Sequence, residues 1–156
     1  MPTFPTLVTV ADCVAADTNT FLAGYSLTTS SVNLPQANLA ELQLPKIQVT
    51  PAGLGLESIT RDDANPTYTI GISVEQLIEA APVEGALTVN QLINLAEAIA
   101  RWWVDTKEML TAYDGTDGGV SVCCIDGQLV NQEPFDTNLL RNNNLFRALI
   151  TLTFKC

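Results

Sequence analysis

Few side chains in this sequence can perform acid–base or nucleophilic chemistry. There is no histidine, so the usual general base at neutral pH and the usual partner of a serine or cysteine nucleophile are both missing. Carboxylates remain, and Asp62 and Asp63, which follow Arg61, could form an acid pair. Acidic residues in a loop of this kind also form ordinary solvated turns. We therefore predict that the protein is not an enzyme.

Two other patterns could bind a metal ion. Asp114 and Asp117, followed by Gly118, resemble part of a calcium loop, but the alternating acidic positions and the closing glutamate are missing. The four cysteines are Cys13, Cys123, Cys124 and Cys156. Adjacent cysteines on a strand point to opposite faces, whereas a zinc site needs spaced ligands. We expect a turn at Asp114, reduced thiols, and neither metal nor cofactor.

The charge of the chain limits its partners. Seven basic residues against seventeen acidic ones give a net charge of −10, which disfavours tight binding of DNA or RNA but allows transient contact. No apolar run reaches the roughly 20 residues of a membrane span, and Met1–Pro5 has no features of a signal peptide. We expect a soluble protein of cytosolic origin, and the length of 156 residues predicts a single domain, 1–156.

The clearest helix signal lies between Leu87 and Ala112. Thr88 and Gln91 have the spacing of a capping box, and Glu97 precedes Arg101 by four residues, as in a helical ion pair. The apolar positions at helical spacing are Leu92, Leu95, Ala96, Ile99, Trp103 and Leu110. The polar positions on the opposite face are Asn90, Asn94, Glu97, Arg101, Asp105 and Glu108. This pattern predicts an amphipathic helix lying on a hydrophobic surface.

Two residues at the edge of this apolar stripe have two interpretations. Trp102 lies about 100° from Trp103 on a helix, near Met109. Trp102 and Met109 either widen the core stripe or lie at a subunit contact, where aromatic residues and methionine are enriched.

The N-terminal part predicts a helix, an edge strand and a connection. Thr9 and Asp12 give a capping signal, and the apolar spacing predicts a helix over about Val8–Leu22. The segment Tyr25–Asn33 is rich in serine and threonine and predicts an edge strand, followed by an exposed connection at Pro35–Leu44.

The centre of the chain predicts two strands. Lys46–Thr50 alternates and should be stopped by Pro51, and Ala52–Pro66 is interpreted as a long loop or a hairpin excursion. Tyr68–Val74 then alternates apolar and small polar residues, as in a half-buried antiparallel strand. A connection over Gln76–Ala86 leads to the long helix.

The C-terminal third predicts a turn at Asp114–Gly119, followed by strands at Val120–Ile125 and Gln128–Gln132. A polar loop at Glu133–Asn144 then leads to a final strand at Leu145–Lys155. The order of helices and strands predicts an α+β fold. We expect a mostly antiparallel sheet of about four to five strands with two main helices packed on one face.

The order of several segments carries a family resemblance. They are Ile47–Pro51, the Arg61–Asp63 loop, Tyr68–Val74, Val89–Ala100, and Leu139–Arg141 leading into Leu145–Phe154. In this order the chain resembles the tail terminator, or tail-completion, proteins at the neck of long-tailed bacteriophages. The resemblance covers most of the chain and is one of pattern.

The resemblance implies a structural virion protein without catalysis. Six copies would form a ring that ends the tail tube and joins it to the head connector or stopper, while viral DNA passes through without specific binding. The protein would be assembled in the host cytoplasm and located at the virion neck, with no membrane contact. The candidate subunit or ring contacts are Trp102, Met109, Arg61, Asp62, Asp63, Asp114, Asp117 and Arg141.

Alternatives from other classes stay open. The chain could be another neck component, such as a head-completion stopper, or a small non-viral ligand-binding α+β domain, possibly an enzyme that uses carboxylates. If a ring forms, six copies at −10 each carry −60, and part of that charge should face the channel and repel the DNA backbone. The contact surfaces should then be the low-charge parts of the chain.

Overall fold

The computed structural model describes residues 6–32, 41–58, 64–107, 113–114, 120–121, 124–125 and 136–155. Three α-helices occur in this part of the chain: α1 (Leu7–Leu22), α2 (Val89–Arg101) and α3 (Thr137–Asn143). The strands are β1 (Thr29–Ser31), β2 (Lys46–Ser58), β3 (Ala64–Leu77), β4 (Tyr113–Asp114), β5 (Val120–Ser121), β6 (Cys124–Ile125) and β7 (Leu145–Lys155). Short 3₁₀ turns lie at Ala23–Tyr25 and Glu41–Gln43, and a π-helix spans Trp102–Lys107.

The described strands form one five-stranded sheet and one small ribbon. The sheet order is β1-β2-β3-β7-β6, and β4 pairs with β5 separately. Only the β1–β2 pair of the sheet is parallel. In the centre, Ile72 of β3 lies between Val49 of β2 and Ile150 of β7, so the apolar residues of three strands share one face.

That apolar face carries the helices. Residues of α1 and α2 join those of β2, β3 and β7 in one buried cluster, and its large members include Trp103, Tyr68, Phe146 and Phe154. The Trp103 indole N–H donates to the Thr18 hydroxyl of α1 at 3.0 Å, which ties the two helices together inside the core. The fold is therefore α+β, with a mostly antiparallel sheet and two main helices on one face, as predicted.

The first helix begins earlier than the capping signal suggested. Thr6 has the extended backbone of an N-cap, with φ −75° and ψ 159°, and its hydroxyl accepts the N–H of Thr9. Thr9 itself lies inside α1, so the prediction of a cap at Thr9 with Asp12 was wrong. A cap must precede the helical backbone, and Thr6 offers the same hydroxyl chemistry three residues earlier.

The second helix follows the prediction closely. Thr88 and Gln91 form the complete capping box, and the Glu97 carboxylate lies 2.9 Å from the Arg101 guanidinium. The residues predicted to face the core are buried from Leu92 to Trp103. After Arg101 the hydrogen bonding widens into the π-helix, which the apolar spacing did not predict. Leu110 lies outside the described residues.

The strand that begins at Lys46 does not end at Pro51. It continues to Ser58, and the pairing with β3 shifts by one residue between Pro51 and Gly53. Pro51 lies two residues after Val49, so its nitrogen lies on the side of β2 away from β3, and proline is tolerated on the unpaired side of an edge strand. The predicted stop was therefore wrong, and of the two interpretations of Ala52–Pro66 the hairpin is confirmed.

Three other predictions need correction. Leu42, in the predicted exposed connection, is only 4% exposed, and the predicted polar loop at Glu133–Asn144 contains α3, whose N-cap is Asp136. The predicted strand Val120–Ile125 is divided, because β5 pairs with β4 while β6 pairs with β7. The edge strand shortens to Thr29–Ser31, and the final strand is confirmed. The predicted strand Gln128–Gln132 lies outside the described residues.

Candidate assembly surfaces

The β2–β3 hairpin extends past its neighbour at one edge of the sheet. Strand β1 pairs with β2 only as far as Val49, whereas β2 continues for nine residues to Ser58. At about 3.4 Å per residue this is roughly 30 Å of strand. We call Gly53–Ser58, with its partners Ala64–Thr69 on β3, the hairpin arm. No described residue pairs with the arm on the β1 side of β2.

The direction of the backbone groups along the arm follows from the hydrogen bonds at its base. The carbonyl of Val49 accepts the N–H of Val32, and the carbonyl of Ile47 accepts the hydroxyl of Thr29, so both carbonyls point towards β1. The bulge adds one residue to β2 and reverses the alternation. Beyond it, Leu54 and Leu56 direct their N–H and C=O groups to the open side.

Other edge positions of the sheet are closed by local hydrogen bonds. At β1, the Asn19 side chain accepts the N–H of Thr29 at 2.7 Å and donates to the Thr29 carbonyl at 3.0 Å. At β7, the carbonyl of Arg147 accepts the N–H of Asp136 at 2.9 Å. These bonds occupy groups to which another strand could otherwise pair, and natural proteins protect sheet edges in such ways. The arm has no comparable bond among the described residues.

The sheet face opposite the helices is polar and mostly uncharged. On β3 and β7 its central residues are Thr67, Thr69, Gly71, Ser73, Leu149, Thr151 and Thr153. One end of this face carries an ion pair in which the Arg147 guanidinium lies 3.4 Å from the Glu75 carboxylate. Leu149 is 48% exposed, and the buried Ser73 hydroxyl has no hydrogen-bond partner within the described part of the chain. This face offers hydroxyl groups and little charge.

An aromatic ladder connects the core to the surface between α1 and the π-helix. The ring of Trp103 lies 5.6 Å from Phe154 and 5.1 Å from Trp102, and Trp102 lies 5.5 Å from Phe21. Phe21 in turn contacts Tyr25, which is half exposed. Tilted and edge-to-face pairs at these separations are favourable. Trp102 therefore packs within its own chain, and its remaining exposed surface is the part that could meet a partner.

A shallow groove lies beside this ladder. Its volume is about 240 Å³, and it is lined by Tyr25, Leu87, Gln91, Asn94 and Leu95. Ligand sites commonly occupy about 300–1,000 Å³. This groove is therefore smaller than a typical ligand pocket.

Cys13 is the one cysteine whose surroundings are described. It forms no disulfide and is partly buried on α1. Burial raises the pKa of the Cys13 thiol, and the carboxylates of Asp17 and Asp12 raise it further. The thiolate, which is the reactive form, is thereby disfavoured.

Most of the predicted contact residues fall outside the described residues. Trp102 lies on the π-helix in the aromatic ladder, and Arg141 is exposed in the last turn of α3. Asp114 belongs to β4 rather than to a turn, because its backbone pairs with Val120. The residues outside are Arg61, Asp62, Asp63, Met109 and Asp117.

The sequence analysis missed the exposed apolar residue of the arm. Leu54 is 49% exposed although its cross-strand partner Tyr68 is buried. The alternation of glycine and leucine in Gly53–Leu56 could have indicated a strand with one apolar side. Asn19, which closes the β1 edge, carries no comparable signal, because an asparagine inside a helical pattern does not identify its partner.

Comparison with known proteins identifies no family for this chain. No protein-family model and no curated protein matches the chain. The described helices include none that is both long and apolar enough to cross a membrane. Among the same residues, no three His, Cys, Asp or Glu side chains are grouped so that they could hold a metal ion.

Proposed function

We propose that this protein is a structural component of a bacteriophage neck that forms a ring, most simply a hexamer, at the end of the tail tube. The ring joins the tube to the head connector or stopper. It acts by assembly and by lining a passage for DNA, without catalysis and without a cofactor.

The observation that carries this proposal is the order of elements within one fold. Four segments that carry the family resemblance, Ile47–Pro51, the alternating strand, the long helix and the final strand, lie in this order in β2, β3, α2 and β7, although β2 is not bounded by Pro51. The strands join in one sheet, and both main helices lie on the same face of it. These described elements support the proposal, whereas the Arg61–Asp63 loop of the resemblance lies outside the described residues.

The distribution of polarity supports an assembly role. A chain with a net charge of −10 repels its own copies, so subunits must meet where charge is sparse. The hairpin arm from Gly53 to Leu56 and the threonine-rich sheet face provide such surfaces. Carboxylates elsewhere, such as Asp105 and Asp12 on exposed helix surfaces, remain available to face solvent or a channel.

The location of the protein in a virion tests the function directly. In particles whose genome encodes this chain, gold-labelled antibodies against it should bind at the junction of head and tail. Cryo-electron microscopy of the same particles should show a ring there with an acidic lumen. Labelling at the distal tail or the capsid, or a ring with a basic lumen, would refute the proposal.

Purified protein provides a second measurement. A closed ring of six 16.8 kDa chains should have a mass of about 100 kDa in native mass spectrometry. If rings need the tail tube as a template, they should appear only after purified tail tubes are added. A labelled ring that contacts the connector but not the tube would instead assign the protein as a head-completion stopper.

A further inference from the structure

The open edge of the hairpin arm is a site for strand pairing. Leu54 and Leu56 direct backbone N–H and C=O groups away from β3, and no described residue pairs with them there. A strand edge with unpaired groups is a template on which another chain can add a strand. Elsewhere, the Asn19 and Asp136 hydrogen bonds close edge groups at Thr29 and Arg147.

We infer that the arm pairs with the same arm of a second copy of this chain, antiparallel, about a two-fold axis. A second copy of the chain offers the same arm edge, which no described residue pairs. Each copy thus supplies both the donors and the acceptors that the other lacks. This contact is isologous and differs from the head-to-tail contact that closes a ring.

One register satisfies the backbone groups of both copies. When Gly55 of one copy lies opposite Gly55 of the other, Leu54 of each faces Leu56 of the other. All four of these residues direct their backbone groups to the shared edge, so they can form hydrogen-bonded pairs. The same register places each Glu57 opposite a Gly53, and like charges are not brought face to face.

Charge and polarity both favour a second copy as the occupant. The residues from Val49 to Leu56 carry no charge, in a chain with a net charge of −10, so two copies can meet here with little local repulsion. Leu54 is 49% exposed, and an added strand would cover it. Within Val49–Leu56, a charged partner would find no complementary charge.

Amide hydrogen exchange on the unmodified protein tests the pairing by residue. As the protein concentration rises, the amides of Leu54 and Leu56 should become protected together with the appearance of a species twice the 16.8 kDa chain mass in light scattering. The amides of Gly53 and Gly55, which point towards β3, serve as internal controls and should change little. Unprotected Leu54 and Leu56 amides in samples that contain the dimer would overturn the inference.

A pair of substitutions separates backbone pairing from side-chain contact. Leu54→Pro removes the N–H on the open side and leaves the β3 side intact, whereas Leu54→Ala keeps that N–H and removes most of the side chain. We expect Leu54→Pro to abolish the dimer. Leu54→Ala should retain it, with the dissociation constant of the dimer raised less than tenfold. An undiminished dimer in Leu54→Pro, or equal loss in both variants, would overturn the inference.

The arm pairing can be tested independently of the proposed ring. Dimers with protected Leu54 amides but no rings in any virion would leave the arm pairing in place and refute the proposed function. Rings that form from Leu54→Pro protein, together with the absence of a dimer at any concentration of the unmodified chain, would refute the arm pairing and leave the proposed function in place.

Discussion

Replacing Gln76 with methionine tests how the chain positions α2. Gln76 lies on β3 and is only 1% exposed, and its side-chain amide forms two hydrogen bonds with the backbone of Leu87. The Gln76 amide nitrogen donates to the Leu87 carbonyl at 2.8 Å, and the Leu87 N–H donates to the Gln76 oxygen at 3.0 Å. This pair of bonds holds the residue immediately before the Thr88 N-cap against the sheet.

The expected loss of stability follows from the volume that methionine keeps and the two hydrogen bonds that it removes. Methionine is unbranched and of similar length, so it fills the space without a large cavity. Both hydrogen bonds are lost, at about 0.5–1.5 kcal/mol each, which predicts a decrease in the free energy of unfolding of about 1–3 kcal/mol. Leu87 is only partly buried, so water can reach its freed groups, and values above this range are not expected. For a chain of this length the melting temperature should fall by about 2–12 °C.

Urea denaturation followed by circular dichroism measures this change. Gln43→Met is the matched control, because it makes the same chemical change at an exposed position and should stay within about 0.5 kcal/mol of the unmodified protein. Equal stability of the Gln76 and Gln43 variants would refute the view that the Leu87 hydrogen bonds anchor α2.

Three further predictions concern the core and the thiol. Ile99→Ala should lower the free energy of unfolding by about 2–5 kcal/mol, whereas Glu97→Ala on the exposed face should change it by less than about 0.5 kcal/mol; equal losses in urea melts would contradict the helix orientation. Trp103→Phe should destabilise partly because it leaves the buried Thr18 hydroxyl without its donor, and adding Thr18→Val should recover part of that loss in a double-mutant cycle. Because burial and nearby carboxylates raise the pKa of Cys13, its alkylation at neutral pH, followed by peptide mass spectrometry, should be slower than that of a small free thiol and should accelerate as the pH rises; a faster rate would contradict the described burial.

The contact residues were harder to predict than the fold. Of the eight proposed contacts, Trp102 has described ring contacts, and these are with Phe21 and Trp103 of the same chain. The assignment of contacts used loop length and composition, together with the enrichment of aromatic residues and methionine at interfaces, and these do not reveal which backbone groups are left unpaired. The hairpin arm became visible only when the bulge at Pro51–Gly53 and the short length of β1 were known.

Local patterns determined those elements whose signals lie within a few residues. The capping box of Thr88 and Gln91, the stripe from Leu92 to Trp103 and the alternation of Tyr68–Val74 each depend on helix or strand periodicity, and each is present as predicted. These patterns are sufficient to predict the α+β class, because a one-sided helix and a one-sided sheet must bury their apolar faces against each other.

Only the tertiary structure decided those features that depend on residues distant in the sequence. Pro51 does not stop β2, because its nitrogen lies on the side of β2 away from β3, so the pairing with β3 loses no N–H and continues through the bulge. Asn19 closes the β1 edge only because α1 brings its side chain to Thr29, ten residues later. Among the described residues the hairpin arm is open on one side, because β1 ends at Ser31 whereas β2 continues to Ser58. Strand periodicity predicts which residues share a face, but which edge remains unpaired depends on where other parts of the chain end.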